Sequence, residues 1–155
     1  MLVLRCTQKL LARLKQAENL PAVESTTRLG DWSGNIIQLG RRQHLLFISE
    51  RSRLPVVIPI REGKRLTEVF PDAVCEVLGN VGVAAAHIAD ERARMSEIAF
   101  GRTRNRSLLG TLNVTWRYAW QVKMRWRTIL LAALTTFVFP AWAPLPGGRK
   151  MPFGH

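Results

Sequence analysis

The sequence has few of the residues from which metal and redox sites are built. Its 155 residues include two cysteines, Cys6 and Cys75, and three histidines. The cysteines are far apart and match no metal or redox spacing, so we interpret them as reduced, partly buried thiols. Arg5, Lys9 and Arg13 leave no apolar stretch long enough for a signal peptide. We therefore expect a cytoplasmic protein without a cofactor.

Recognisable catalytic motifs are also absent. Ser49, Ser52 and Ser107 lack the flanking glycines of a nucleophile elbow, and neither cysteine has a histidine nearby in the sequence. No set of residues competent for a reaction stands out, so we assign no catalytic residue. We interpret the chain as a non-enzymatic binding or accessory domain.

Three carboxylates, those of Asp31, Glu50 and Glu62, fall next to predicted strand ends, where oxygen ligands converge on Mg²⁺ or Mn²⁺ in some hydrolases. No two of them share a short ligand spacing, and no histidine accompanies them. Carboxylates in such positions are usually solvated or paired with arginine. We therefore assign no metal site.

The composition is that of a folded domain with an excess of positive charge. Hydrophobic residues make up 47% of the chain and charged residues 22%, which is close to ordinary globular usage. The net charge is +12, from 23 basic and 11 acidic residues, and all the acids lie before residue 98. Basic proteins of this kind attract nucleic acids and other polyanions, so nucleic acid is one candidate partner.

Short apolar runs and changes of hydrophobic period predict an α+β fold. We expect an antiparallel sheet of four to five strands that packs against three helices. The predicted strands lie near 2–5, 35–39, 43–49, 55–60 and 97–101, and the predicted helices near 7–16, 64–78 and 84–94. The three consecutive runs between 35 and 60 favour a meander.

Four blocks carry a family resemblance, namely RCTQKLLARLK, STTRLGDWSGNIIQL, HLLFISERSRLPVVIPI and NRSLLGTLN. In this order and spacing they resemble an uncharacterised bacterial family, domain of unknown function family 6933. The resemblance covers about residues 1–113. It implies a shared fold, but it implies neither a reaction nor catalytic residues, because function depends on the site rather than on the fold.

The tail at 114–155 differs from the rest of the chain. It has no acidic residue and contains four of the five tryptophans, where the family usually continues with an acid and a mixed helical segment. A displaced reading frame would explain both changes. We therefore divide the chain into a domain at 1–113 and a tail that we expect to be frame-shifted or divergent and poorly ordered.

The uncharged segment 128–148 within this tail gives a membrane-associated protein as a further alternative, because it is long enough to span a bilayer. Basic residues flank it on both sides, and Pro140, Pro144 and Pro146 make its second half a poor helix. We do not favour membrane contact through this segment.

The block LGDWSGN contains the most distinctive candidate site. Gly30 and Gly34 bracket Asp31 and Trp32, and Asn35 follows, so an acid, an aromatic ring and an amide could meet a ligand. The structural alternative is stronger. In that alternative the glycines permit a turn, Asp31 bonds backbone amides and Trp32 covers one end of the core.

Arginines cluster at predicted strand ends and turns, and together they form the alternative nucleic-acid site. The residues of this set are Arg41, Arg42, Arg51, Arg53, Arg102, Arg104 and Arg106, and Arg61, Lys64 and Arg65 cluster with them. Interspersed acids and the general role of arginine in solubility favour a solvated surface instead. The choice between the two depends on whether the fold gathers these arginines on one surface.

Overall fold

The computed structural model describes residues 1–17, 22–104, 107–108 and 110, which form a mixed five-stranded sheet covered by helices on one face. The α+β class expected from the sequence is confirmed. The tail at 114–155, with the candidate span at 128–148, lies outside the described residues, so its expected disorder stays a prediction.

The elements fall close to the predicted ranges. The strands are β1 (Leu2–Cys6), β2 (Trp32–Leu39), β3 (Arg42–Ser49), β4 (Pro55–Pro59) and β5 (Ile98–Arg102). The helices are α1 (Gln8–Arg13), α2 (Leu66–Asn80) and α3 (Ala85–Arg94), and a 3₁₀ helix, Ile60–Arg65, joins β4 to α2.

The strand order β4-β3-β2-β1-β5 combines two kinds of pairing. The meander from β2 to β4 is antiparallel, as expected, but β1 runs parallel to both of its neighbours, β2 and β5. The expectation of a purely antiparallel sheet was therefore wrong. All five residues of β1 are buried, which is typical of a central parallel strand with both faces covered.

The turn between β1 and α1 directs the chain onto one face of the sheet. Thr7 stands at the helix N-cap with extended backbone, and its hydroxyl accepts a hydrogen bond from the backbone N–H of Leu10 at 3.4 Å. Leu10 and Leu11 are then buried against the sheet. The face that α1 and α2 cover is called the helix face below.

The core on the helix face centres on three aromatic rings. Phe70 of α2 packs edge-on against Trp32 and Phe47, with ring centroids 5.2 and 5.0 Å apart. All three side chains are fully buried. Gly34 is required beside them, because a Cβ at this position would lie 2.4 Å from Cε1 of Phe47.

The opposite side of the sheet, called the second face below, is half apolar and half polar. Ile37, Leu39, Leu46 and Ile48 form a buried apolar cluster over β2 and β3, with Leu108 packed against it. Over β1 and the start of β2, the alternation of side chains instead places polar residues on this face. The polar half therefore lies over the parallel part of the sheet.

None of the helices in the described part of the chain is both long and apolar enough to cross a membrane. Within the same residues, no three His, Cys, Asp or Glu side chains lie close enough together to hold a metal ion.

Candidate functional site

Asp31 forms a buried ion pair with Arg5, which the sequence did not mark as its partner. Arg5 Nε donates to Asp31 Oδ2 at 2.7 Å, and the two side chains are 3% and 13% exposed. The backbone N–H of Ser25 donates to the other carboxylate oxygen at 2.9 Å, and Arg5 Nη2 donates to the carbonyl of Val23. Asp31 therefore holds the segment before β2 against β1.

The pKa of the Asp31 carboxyl reflects two opposed effects. Burial favours the neutral acid and raises the pKa, whereas the hydrogen bonds from the Ser25 N–H and from Arg5, with the positive charge of Arg5, lower it. The lowering effects are larger together, so the pKa lies below its ordinary value. Asp31 is thus a stable carboxylate and not a proton donor near neutral pH.

Trp32 and Asn35, the other two candidates from the LGDWSGN block, lie apart from Asp31. Trp32 is buried in the helix-face core, and its Nε1 has no hydrogen-bond partner among the described residues. Asn35 Oδ1 accepts hydrogen bonds from Thr7 Oγ1 at 3.0 Å and from the Ile36 N–H at 2.9 Å. The sheet separates Trp32 from the other two side chains, so the three do not share one surface.

Glu50 lies opposite Asp31 at the same end of the sheet, where its N–H donates to the Asp31 carbonyl at 2.8 Å. Its carboxylate accepts a hydrogen bond of 2.5 Å from the buried hydroxyl of Ser33. Glu62 lies in the 3₁₀ helix beyond β4 and pairs with Arg61. The three carboxylates that the sequence placed at strand ends are thus engaged separately.

The thiols have no nucleophilic setting. Cys6 is buried in β1, and burial raises its pKa to about 12, which suppresses the reactive thiolate. Cys75 lies on α2 and receives a weak contact of 3.9 Å from Arg92 Nη1.

The fold divides the predicted arginine set between distant positions. Arg41 and Arg42 lie at the β2–β3 turn, whereas Arg51 and Arg53 lie between β3 and β4. β3 is eight residues long, so the two pairs lie at opposite ends of the sheet, roughly 24 Å apart.

Arg102 and Arg104 lie at the end of β5, beside the end of β1, and Arg106 lies outside the described residues. β2 continues for five residues beyond Gly34, the partner of Cys6, so the β2–β3 turn projects about 17 Å past the end of β1. Arg102 and Arg104 are therefore set back from the turn.

One end of the sheet gathers basic residues that the sequence analysis only partly identified, and we call it the basic end. Its exposed members are Arg13, Lys15, Arg41, Arg42, Arg61, Lys64 and Arg65.

Two contacts join the elements of the basic end. A Cβ at Gly63 would lie 3.4 Å from Leu14 Cδ2, so the 3₁₀ helix touches the end of α1. His44 pairs with Pro59, immediately before the 3₁₀ helix, and Arg42 pairs with Leu39 at the turn. The turn and the 3₁₀ helix therefore lie side by side. Sequence spacing alone could not show this arrangement, because its three segments are far apart in the chain.

Comparison with known proteins gives a family and no individual relative. The family model for the domain of unknown function DUF6933 matches residues 3–131. No curated protein and no solved structure gives a match. The matched range extends 18 residues past Asn113, into the segment 114–155 that was expected to be divergent. The displaced reading frame stays a prediction that the nucleotide sequence tests.

Proposed function

The chain belongs to the DUF6933 family, and we propose that it is a small, non-enzymatic cytoplasmic domain that binds nucleic acid through the basic end. The observation that carries this proposal is that five of the seven exposed cations at that end have no acidic partner among the described residues. Cys6 and Cys75 are both free thiols, which fits the reducing conditions of the cytoplasm.

The charges of the basic end are largely unneutralised. Arg61 and Arg65 pair with Glu62 and Glu68 at 3.5 and 2.9 Å. The other five members of the basic end form no ion pair with any residue that the structure describes. Unpaired cations on neighbouring elements repel one another, and a polyanion relieves this repulsion when it binds.

Nucleic acid is the polyanion that fits this surface best. The cations lie on three adjoining elements and face solvent, so they can contact successive phosphates along one strand. The β2–β3 hairpin contains no acid and carries the exposed amides Gln38 and Gln43 beside Arg41 and Arg42. Amide and guanidinium groups donate hydrogen bonds to phosphates and to base edges.

The test compares binding to random DNA and RNA over a range of salt concentrations. In the test variant, Arg41→Ser, Arg42→Ser and Lys64→Ser remove three charges from the basic end. The control variant removes three paired charges elsewhere, by Arg28→Ser, Arg92→Ser and Arg94→Ser. Both variants have the same net charge, so a difference between them reports position.

We expect salt-sensitive binding that the test variant weakens and the control variant retains. On duplex DNA, the slope of log K against log salt should fall in magnitude by about 0.9 for each phosphate contact removed. Equal losses in the two variants, or no binding by the unmodified protein at low salt, would overturn the proposal.

A further inference from the structure

The tip of the β2–β3 hairpin extends past the strands on either side of it. β1 pairs with β2 only as far as Gly34, and β4 pairs with β3 only from His44 onward. The segment 38–43 therefore has no neighbouring strand among those that the structure describes. With three residues on each side, this tip protrudes about 10 Å beyond the end of β4.

A tight turn keeps the tip only two strands wide. Leu39 pairs with Arg42, so Gly40 and Arg41 form a two-residue loop. Gly40 has a φ of 60° and Arg41 has a negative φ, which is the pattern of a type II′ turn with glycine first. The major groove of B-form DNA is about 12 Å wide and admits a two-stranded ribbon of this kind.

Two amide side chains lie next to each other on this ribbon. Gln38 and Gln43 are exposed cross-strand partners, so their Cβ atoms lie about 5 Å apart on one face. This is the helix-face side, whereas Leu39 is buried on the second face. Gln38 Nε2 donates to the Gly40 carbonyl at 3.2 Å, which leaves its second N–H and its carbonyl oxygen for a ligand. A glutamine amide matches the N6 and N7 edge of adenine.

Cations lie on both sides of the amide pair. Arg41 and Arg42 are at the turn, beyond the amides. Behind the amides on the same face lies Leu45, whose Cδ1 is 3.7 Å from the position that a Cβ of Gly63 would take, and Lys64 follows that glycine. The amides are thus bordered by positive charge, as base contacts in a groove are bordered by contacts to the phosphates.

We propose that the tip of the β2–β3 hairpin enters the major groove of double-stranded B-form DNA. This inference rests on the nucleic-acid binding proposed above, and it names the form of nucleic acid that the basic end takes. Gln38 and Gln43 contact base edges in the groove, and Arg41, Arg42 and Lys64 contact the phosphates on its two sides.

The composition of the basic end argues against the other forms of nucleic acid. Proteins that bind single strands stack the bases on aromatic rings, but the segments 13–15, 38–43 and 60–65 contain no aromatic residue. Double-stranded RNA has A-form geometry, with a deep and narrow major groove that side chains cannot read. B-form DNA is therefore the duplex whose major groove this ribbon fits.

The first test compares the forms of nucleic acid. A preferred duplex is selected from a randomised DNA pool, and its affinity at fixed low salt is compared with that of the RNA duplex and the DNA and RNA single strands of the same sequence. We expect the DNA duplex to bind at least about tenfold more tightly than the other three, since one good base contact already discriminates by about that factor.

A second test identifies the groove without any change in the protein. Replacing the purines of the preferred duplex by 7-deazapurines removes the N7 acceptors from the major groove, whereas 3-deazapurines lack the N3 acceptors of the minor groove. We expect the 7-deaza duplex to bind about tenfold more weakly and the 3-deaza duplex to bind like the unmodified DNA.

A pair of variants tests the amides. Gln38→Ala with Gln43→Ala removes both amides and no charge, so it should lose the preference for the selected duplex over random DNA. The slope of log K against log salt should stay that of the unmodified protein, because the phosphate contacts remain. Gln8→Ala with Asn80→Ala, two exposed amides on α1 and α2, is the matched control and should keep the preference.

Several outcomes would overturn this inference. They are equal affinities for the four ligands, a loss of affinity with 3-deazapurines but not with 7-deazapurines, and an unchanged preference in the variant that lacks both hairpin amides. Salt-sensitive binding without a preference for the DNA duplex would remove this inference and leave the nucleic-acid proposal standing. Failure to bind any of the four ligands at low salt would overturn both.

Discussion

Arginines at the two ends of the sheet have different surroundings. Near α3, Arg28 and Arg94 both contact Asp90, at 3.0 and 3.3 Å, and Arg92 contacts Asp72. At the basic end, Arg41 and Arg42 have no acidic partner among the described residues. Arginine therefore pairs with acidic side chains near α3, whereas Arg41 and Arg42 at the basic end are exposed without such a partner among the described residues.

This difference separates stability from binding. Exposed ion pairs stabilise a fold by at most about 1 kcal/mol, so the pairs near α3 need not explain why the chain folds. Unpaired cations contribute still less to folding, but they dominate association with polyanions. We therefore expect large losses in free energy of unfolding from changes at the buried carboxylates Asp31 and Glu91, and small ones from changes at the basic end.

The largest effect should follow Asp31→Ala. This change leaves the buried guanidinium of Arg5 without its counter-ion, and removal of one partner from a buried pair costs about 3–5 kcal/mol in free energy of unfolding. Urea denaturation measures the loss. The double variant Arg5→Met with Asp31→Ala should be less destabilised than Asp31→Ala alone. A single variant as stable as the unmodified protein would contradict the role of this pair.

Glu91→Gln should have the next largest effect. The buried Glu91 carboxylate on α3 accepts hydrogen bonds from the N–H groups of Arg28 and Leu29, at 3.0 and 3.1 Å. Glutamine can accept only one of these bonds and brings an N–H₂ group toward the other amide, so we expect a loss of about 1–3 kcal/mol. Thermal unfolding measures it. Glu76→Gln, at an exposed position of α2, is the control and should change little.

Acid should also lower the free energy of unfolding through Asp31, by less than the two substitutions above. Its pKa in the folded protein lies below the ordinary value of 3.8, so its contribution is fully present above that value and is lost as the pH falls through the folded pKa. The stabilities of the unmodified protein and of Asp31→Ala should therefore converge in acid. Denaturation curves measured at successive pH values check this, and a constant difference would contradict it.

The smallest effect on stability should come from the basic end. Arg41→Ser with Arg42→Ser removes exposed, unpaired charges, and such surface changes usually alter stability by less than about 0.5 kcal/mol per site. Lower repulsion among the remaining cations makes a slight gain at low salt the expected direction. A large loss in thermal unfolding would show that these arginines have a structural role, and would remove the contrast between the two ends.

Local sequence patterns predicted much of the fold. The apolar runs of β2, β3 and β4 are short and separated by tight turns, which is sufficient to predict an antiparallel meander. The parallel pairing of β1 was not predictable in this way. Its run, LVLRC, is buried on both faces, and nothing within five residues specifies which distant strands lie beside it.

The candidate site was less predictable, for a related reason. Asp31 was identified from its turn, but its partner Arg5 lies within an apolar strand, where a charged residue gives no sign of an ion pair. Arg41 and Arg51 fall at similar strand ends in the sequence, and only the direction of β3 shows that they lie far apart.

The prolines of β4 limit how the sheet can grow. Residues of an antiparallel strand point their N–H groups alternately to either side, and Ser49 N–H bonds to the Leu54 carbonyl, so Leu54, Val56 and Ile58 face β3. Pro55, Val57 and Pro59 then face outward. Proline has no N–H, which leaves Val57 as the single donor on this edge. A foreign strand cannot build a continuous ladder there, so this edge of the protein resists fibrillar self-assembly.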